Sequence, residues 1–302
     1  MIVQGENFNE KEITVTLRLT NNCNFKCKYC TYHNNSIKHN YMVFDVLEKL
    51  KDYLKNYEKI TFYFHGGEPT IYPKFYELIE FINKTFKDFN ITIDIQTNAS
   101  MKIEKFKPYK NVRYICSYQA HQNTKEQFLS FCDICFKNNM LNGIDIILEP
   151  DFEKQVREVY FESIKRYGFN KVESNFIDDV YNEKFKDIYK KSSENILFNK
   201  SSKNILFNKS SEMYLNEVIV KKLNNFKLWT CNAGKNNIII DTSDEFITFY
   251  KCFSYQKINK YELRIKNLDD LTPLFFKKLL NKTICQVNNC MCEINLKKVK
   301  TF

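Results

Sequence analysis

The sequence predicts an α/β fold with a parallel sheet, open or closed into a partial barrel. Two observations predict it. Short runs rich in Ile, Val, Phe, Tyr and Thr recur along residues 13–177, and segments with apolar residues at three- and four-residue spacing stand between most of them. A strand, a helix and a further strand close most readily as a right-handed parallel unit. Several runs are also apolar enough to be covered on both faces, as parallel strands commonly are.

In chain order, the first strand is expected at 13–19, the first helix at 43–57 and the second strand at 59–64. The next helix, 75–86, carries the stripe Phe75, Leu78, Ile79, Ile82 and Phe86 on one face. Strands follow at 91–96 and 112–117, then a helix at 124–138, a strand at 143–148, a helix at 152–167 and a strand at 171–176. Gly168, directly after the fourth helix, is a natural helix stop. These elements make up a core at 12–180. Residues 181–228 break the pattern with a tandem repeat, SSENILFNK at 192–200 followed by SSKNILFNK at 201–209. A step of nine turns a helix by about half a turn and flips a strand's face, so the two apolar patches cannot share one side. The repeat therefore reads as a duplicated piece of a connecting segment. From Trp229 onward a hairpin is expected at 237–241 and 245–250, a helix at 271–281, and then a cysteine-rich tail. Residues 229–302 read as a second, smaller unit.

The chain has 302 residues, 43% hydrophobic and 27% charged, which excludes wholesale disorder. No run approaches the ~18 apolar residues of a membrane helix, so no membrane partner is expected. The first fifteen residues, MIVQGENFNEKEITV, have neither a basic start nor an apolar stretch, so a signal peptide is not expected and a cytoplasmic location is. In that reducing compartment the eleven cysteines are expected as thiols or metal ligands. The 46 Lys and Arg against 36 Asp and Glu give a net charge of +10. Because the lysines are scattered, a solvated basic surface is favoured over a nucleic-acid partner.

Two motifs carry chemistry. Cys23-Asn-Phe-Lys-Cys27-Lys-Tyr-Cys30 places three thiols within eight residues, shortly after the first strand. Such a set suits zinc or an iron–sulfur cluster, and it is one ligand short of a closed site for either. After the second strand comes His65-Gly66-Gly67-Glu68-Pro69. Adjacent glycines allow close approach to the backbone, and a neighbouring carboxylate can accept from an ammonium group.

Together these residues resemble the radical S-adenosylmethionine (radical SAM) superfamily. CxxxCxxC follows the first strand with an aromatic, Tyr29, before its last cysteine, and GGEP follows the second. The resemblance spans about 165 residues and implies a partial (βα)6 barrel. It implies that Cys23, Cys27 and Cys30 hold three irons of a [4Fe–4S] cluster while SAM chelates the fourth. It further implies that Gly66, Gly67 and Glu68 contact the methionyl amino group. Thr97 and Asn98 end the third strand, Ser117 the fourth, and Glu149 and Asn175 lie at the ends of the fifth and sixth. All are expected to bind SAM, because a parallel βα-barrel builds its site at those strand ends. His65 and His121 lie near the same rim and are the candidates for proton transfer, against the alternative of structural histidines.

The late cysteines resemble the auxiliary-cluster domains called SPASM or twitch. Five are present where a full SPASM domain uses seven, which implies one auxiliary [4Fe–4S] cluster. Cys231 and Cys252 form the firmest pair, with two of Cys285, Cys290 and Cys292 completing the set, and structural zinc is the alternative. Cys132 and Cys135, three apart on a helix, read as buried hydrophobes, and Cys116 should face the helices if Ser117 faces the site. The implied activity is reductive cleavage of SAM and hydrogen abstraction from a peptide or small-molecule substrate, with flavodoxin or ferredoxin as electron donor. RNA modification by the same chemistry and a non-catalytic zinc-binding nucleic-acid module are the competing readings.

Overall fold

The computed structural model describes residues 11–30, 41–176, 183–185, 188, 230–231, 236–243, 246–251, 264–281, 283–284 and 298–299. In chain order the elements are β1 (Glu12–Thr20), α1 (Val43–Lys51), β2 (Lys59–Gly66), α2 (Phe75–Thr85), β3 (Ile91–Thr97), β4 (Val112–Tyr118), α3 (Lys125–Lys137), β5 (Leu141–Leu148), α4 (Glu153–Tyr167) and β6 (Val172–Phe176). The later elements are β7 (Thr230–Cys231), β8 (Asn237–Asp241), β9 (Ile247–Tyr250), β10 (Arg264–Ile265), α5 (Pro273–Leu279), β11 (Thr283–Ile284) and β12 (Lys298–Val299). They fall into two compact units. One comprises Met1–Asn24, Tyr32–Asp94 and Asn224–Phe302, and the other Phe25–Thr31 and Ile95–Leu223. The tandem repeat, the connecting segment beyond residue 188, and Cys252, Cys285, Cys290 and Cys292 lie outside the described residues.

In the first unit the strands run in the order β10-β9-β8-β1-β2, with the start of β3 beside β2. β1 pairs in parallel with β2, Val15 opposite Phe62 and Arg18 opposite His65. Alternation along β1 sends Ile13, Val15, Leu17 and Leu19 to a fully covered face, and Ile60, Phe62 and Phe64 of β2 do the same. Helix α2 seals that face, its end packing Phe86 on Phe62 (ring centroids 4.9 Å) and its first residue, Phe75, meeting Phe64 at 6.2 Å. The opposite face carries Thr14, Arg18, Thr61, Tyr63 and His65, all part-buried. Each large side chain under the helices contributes roughly 1.5–3 kcal/mol by burial. Phe62→Ala should therefore cost about 3–5 kcal/mol, measured as a lowered denaturation midpoint at unchanged slope.

In the second unit the end of β3 is followed by β4, β5 and β6, the last three parallel, with Ser117 opposite Asp145 and Ile147 opposite Asn175. Tyr114, Cys116 and Tyr118 alternate toward α3, where Tyr118 meets Phe128 and Tyr114 meets Phe131 edge-on. Cys116, Cys132 and Cys135 are wholly buried there, and their burial and mutual contact push the Cys116 and Cys135 thiols well up. They are small hydrophobes, as their helix spacing and strand parity indicate. Helix α3 begins at Thr124, whose hydroxyl accepts from Gln127 N at 3.2 Å, and α4 ends at Gly168, at φ +88°.

In the first unit β1, β2 and the start of β3, and in the second the end of β3, β4, β5 and β6, follow one another in sequence order, and right-handed crossovers between such strands fall on the same face. Among the described residues, helices thus cover one side of these strands, not both as the apolar runs allow. The expected C-terminal hairpin is present, but β8 pairs in parallel with β1, Thr14 opposite Asn237 and Arg18 opposite Asp241. The reason lies in its residues. Ile238, Ile239 and Ile240 are buried on both faces, which a two-stranded hairpin alone cannot provide. A separate three-stranded sheet of order β11-β7-β12 sets Thr283 and Lys298 against Cys231. Among the described residues no helix is long and apolar enough to cross a membrane.

Candidate functional site

In the first unit the site forms where β1 and β2 end. Thr20 closes β1, and the turn Asn21–Asn22 leads to the exposed Cys23. This turn lies hard against the glycine motif. Gly67 N donates to Thr20 O at 2.7 Å and Glu68 N to Asn22 O at 2.8 Å. Gly66 stands at φ +129°, and a Cβ there would come within 2.5 Å of Thr20 O; at Gly67 it would come within 2.0 Å of Asn22 O. The two glycines are thus required first by the protein's own cysteine loop, which consumes the N–H groups of Gly67 and Glu68. The Glu68 carboxylate, 1% exposed, accepts from Thr70 N (3.1 Å) and Thr70 Oγ1 (2.6 Å), fixing the turn that follows.

On the helix-free face, His65 stacks on Tyr63 at 5.9 Å, and burial with help from the Arg18 charge lowers its pKa to about 4. His65 is therefore neutral near pH 7. Arg18 bridges two partners, Asp241 Oδ2 through Nη1 (3.0 Å) and Asn21 Oδ1 through Nη2 (2.6 Å).

In the second unit Cys30 N donates to Cys27 O at 3.0 Å, closing a turn that carries two of the thiols. Tyr29 lies between them, and burial, with the nearby Glu149 and Cys27, pushes its hydroxyl pKa far up. Its ring meets His121 edge-on at 5.8 Å. His121 Nδ1 lies 2.5 Å from Glu149 Oε2 in a shielded pair whose side chains are 15% and 6% exposed. Burial raises the Glu149 pKa, and the His121 charge opposes that rise. Among the described residues His121 Nε2 and Glu149 Oε1 are buried without a hydrogen-bond partner. A carboxylate at Nδ1 selects the tautomer that leaves Nε2 to accept a proton.

Thr97 and Asn98 build the turn after β3. Thr97 Oγ1 accepts from Ala99 N (3.1 Å), Asn98 Oδ1 from Ser100 N (3.0 Å), and Ala99 is held at φ +57°. Asn123 Nδ2 donates to Asn98 O at 3.0 Å and ties this turn to the segment after β4. Gln96 Nε2 reaches Ser117 Oγ and Asp145 Oδ2, each at 3.4 Å, on the helix-free side. Asn175 is exposed and joins none of these contacts. The structure thus assembles Thr97, Asn98, Ser117, His121 and Glu149 at strand ends and leaves Asn175 outside the group. Sequence reading missed Arg18, Gln96, Asp145, Asn123 and Asp241. Arg18 and Asp145 each place a charge among β-branched and aliphatic strand residues, and Asp241 ends an isoleucine run; that was the available signal.

The donor set fits a metal cluster in its chemistry: three thiols within eight residues, none in a disulfide, the first of them directly after a turn that the Gly66–Gly67 backbone receives. Among the described residues no three His, Cys, Asp or Glu side chains already close on one point. A cavity of about 510 Å³ lies elsewhere, between Lys51, Lys55, Glu58 and Asp88 at the N-terminal ends of β2 and β3. A parallel sheet does not build its site at that end.

The Radical SAM superfamily model matches residues 17–190, more than half of the chain. The 7-carboxy-7-deazaguanine synthase of Clostridium acetobutylicum is 22% identical over 203 residues, 62% of this chain and 87% of that protein. The antilisterial bacteriocin subtilosin biosynthesis protein AlbA of Bacillus subtilis is 22% identical over 186 residues, 58% of this chain and 42% of that protein. Matches to curated relatives span from 31% to 87% of their lengths. Among solved structures, anSMEcpe with bound AdoMet superposes with a TM-score of 0.57 at 19% identity, covering 89% of this chain and 80% of that one. The same protein with AdoMet and the Cp18Cys peptide gives 0.55 at 18% identity, covering 88% and 80%. At these identities the likeness shows a shared fold, the mainly parallel α/β arrangement of radical SAM proteins.

Proposed function

Because the chain belongs to the radical SAM superfamily, whose members are enzymes, we propose that it reductively cleaves SAM and abstracts hydrogen from a peptide or small-metabolite substrate. One observation carries this reading. Two segments about forty residues apart in sequence meet through the Gly67–Thr20 and Glu68–Asn22 hydrogen bonds, so the turn that leads into Cys23 is held against the glycine motif. When bound, a [4Fe–4S] cluster would supply the electron that turns SAM into methionine and a 5′-deoxyadenosyl radical. Cys23, Cys27 and Cys30 would hold that cluster. The backbone carbonyls of Gly66 and Gly67, with the Glu68 carboxylate, would accept from the methionyl ammonium. The polar group at the ends of β3 and β4 (Thr97, Asn98, Ser117) would orient the nucleoside end. Asn175, being exposed, is the weakest member of the set.

His121, oriented by Glu149, would accept a proton at Nε2. For His65, burial and the Arg18 charge lower the pKa to about 4 and disfavour protonation at neutral pH. The peptide side of the substrate class is supported by AlbA, named for subtilosin biosynthesis, and by anSMEcpe with a bound peptide; the metabolite side is supported by the deazaguanine synthase. Flavodoxin or ferredoxin would deliver the electron.

The layout we propose is a core at 12–180, a connection at 181–228 and an auxiliary-cluster region at 229–302. One auxiliary [4Fe–4S] cluster would be held by Cys231, Cys252 and two of Cys285, Cys290 and Cys292. The support is topological. Cys231 in β7 stands opposite Thr283, two residues before Cys285, and Cys252 follows β9.

The test is anaerobic incubation of the reconstituted protein with SAM and dithionite. The expected result is 5′-deoxyadenosine without added RNA. Cleavage that requires RNA, with binding that falls steeply in salt, would favour RNA modification. Zinc in place of iron, with no cleavage, would overturn the proposal.

A further inference from the structure

We infer that Asp241, Thr242 and Ser243, encoded more than two hundred residues after the cysteine motif, form a positioning clamp for the first of its thiols, acting through Arg18 and Asn21. The clamp is closed on every side. Asp241 Oδ1 accepts from Ser243 N (3.0 Å) and Ser243 Oγ (2.5 Å), which leaves Oδ2 for Arg18 Nη1 at 3.0 Å. The other terminal nitrogen of Arg18 donates to Asn21 Oδ1 at 2.6 Å, and Asn21 Nδ2 reaches back to Ser243 O at 3.4 Å. Thr242 N (2.9 Å) and Thr242 Oγ1 (3.2 Å) both donate to Arg18 O, so the backbone is tied as well as the side chain.

The Arg18 and Asp241 side chains are 11% and 10% exposed. Stability alone is a weak reason for such a pair, because apolar side chains of equal volume commonly do as well in a shielded place. A guanidinium offers something apolar groups cannot: a rigid planar fork whose two arms stand at a fixed angle. With one arm set by Asp241, the other dictates where Asn21 stands. Asn22 follows, with its N–H on Thr20 Oγ1 (3.0 Å) and its carbonyl on Glu68 N (2.8 Å), and Cys23 is the next residue. The turn before Cys23 is thus gripped from β2 on one side and from the end of β8 on the other. β8 itself lies between two candidate ligands of the C-terminal region, its last residue, Asp241, standing ten residues after Cys231 and eleven before Cys252. The segment that carries the late cysteines therefore reaches the loop that carries the first one.

The link from this clamp to metal binding rests on the proposal that Cys23 is an iron ligand; the clamp itself does not. Two measurements separate them. The first is amide hydrogen exchange on the full chain without iron, comparing wild type with Asp241→Asn, Asn21→Ala and Arg18→Lys. Asp241→Asn keeps the shape and loses the charge, and Arg18→Lys keeps the charge and loses the fork. In all three the amides of Asn22 and Glu68 should exchange about tenfold faster, the effect of losing one buried hydrogen bond, while those of Phe62 and Phe64 stay within about twofold. The Asp241→Asn and Asn21→Ala effects should not add when combined, because they break one chain of contacts. The second measurement is chelator-driven iron release from the loaded protein, expected to quicken by a similar factor in the same variants. Unchanged exchange at Asn22 and Glu68, or a uniform rise at all amides, would overturn the clamp. Faster exchange with unaltered iron release would overturn its positioning role while leaving Cys23 a ligand. Absence of iron from the wild type would instead tell against the proposed function.

Discussion

Replacing Cys23, Cys27 and Cys30 together by alanine should lower the iron of the anaerobically reconstituted protein from roughly eight atoms per chain to roughly four, with sulfide falling in step. The same variant should form no 5′-deoxyadenosine. The expectation follows from the donor sets: three thiols on the loop after β1, and a separate group that begins with Cys231 in β7 and runs to the tail. A fall from about four to none would leave the first cluster alone and return the late cysteines to a zinc or thiol role. No iron in either protein, with zinc in its place, would sink the radical reading. Cys132→Ala is the control. Cys132 is wholly buried beside Cys116 and Cys135, and the thiol pKa values of those two neighbours are pushed well up, so its loss should leave iron unchanged.

Gly67→Ala should be nearly as damaging, for a purely steric reason. Its new methyl would stand 2.0 Å from Asn22 O and 2.5 Å from Asn22 C, both backbone atoms that no rotamer change can move. The cysteine loop would have to retreat, breaking the Gly67–Thr20 and Glu68–Asn22 hydrogen bonds. A cost of about 2–4 kcal/mol is expected in chemical denaturation, with SAM cleavage lowered by at least about a hundredfold because, under the proposed function, the displaced turn leads into the first cluster cysteine. Gly143→Ala is the internal comparison. The nearest atom to a methyl there is Lys171 O at 3.8 Å, an ordinary contact, so its effect should stay within about 1 kcal/mol. Equal behaviour of the two variants would show that Gly67 is not held by close approach.

Helix α2 illustrates how much of the fold is legible in local pattern. Its stripe at Phe75, Leu78, Ile79, Ile82 and Phe86 is read directly from spacing, and the structure buries all five. The strands, too, lie where β-rich composition places them, with ends shifted by a residue or two. The extra residues are informative: β2 runs on through Gly66 because Thr20 pairs with it, a contact invisible in the composition of 59–64. Within the site, the glycines are a mixed case. Their position after β2 is plain in the sequence, but their first use, letting the Thr20–Asn22 backbone approach, is not.

The local chain carries whatever depends on near neighbours along it. It determined the alternation of strands and helices, the three thiols within eight residues, the glycine pair after β2, and the stop at Gly168. Period, propensity and ligand spacing are short-range properties, so they survive without knowledge of the fold. Long-range contact settles the rest: that β8 lies beside β1, that Arg18 spans Asn21 and Asp241, and that His121 and Glu149 form a pair whose Nε2 and Oε1 have no hydrogen-bond partner among the described residues. The His121–Glu149 and Arg18–Asp241 contacts join residues 28 and 223 positions apart, and nothing in the local chain distinguishes such a pairing from many others. Burial makes the choice: a charge on a strand, as in Arg18, Asp145 or Asp241, has to find its partner once the chain is compact, and where that partner stands is fixed by strand order and register.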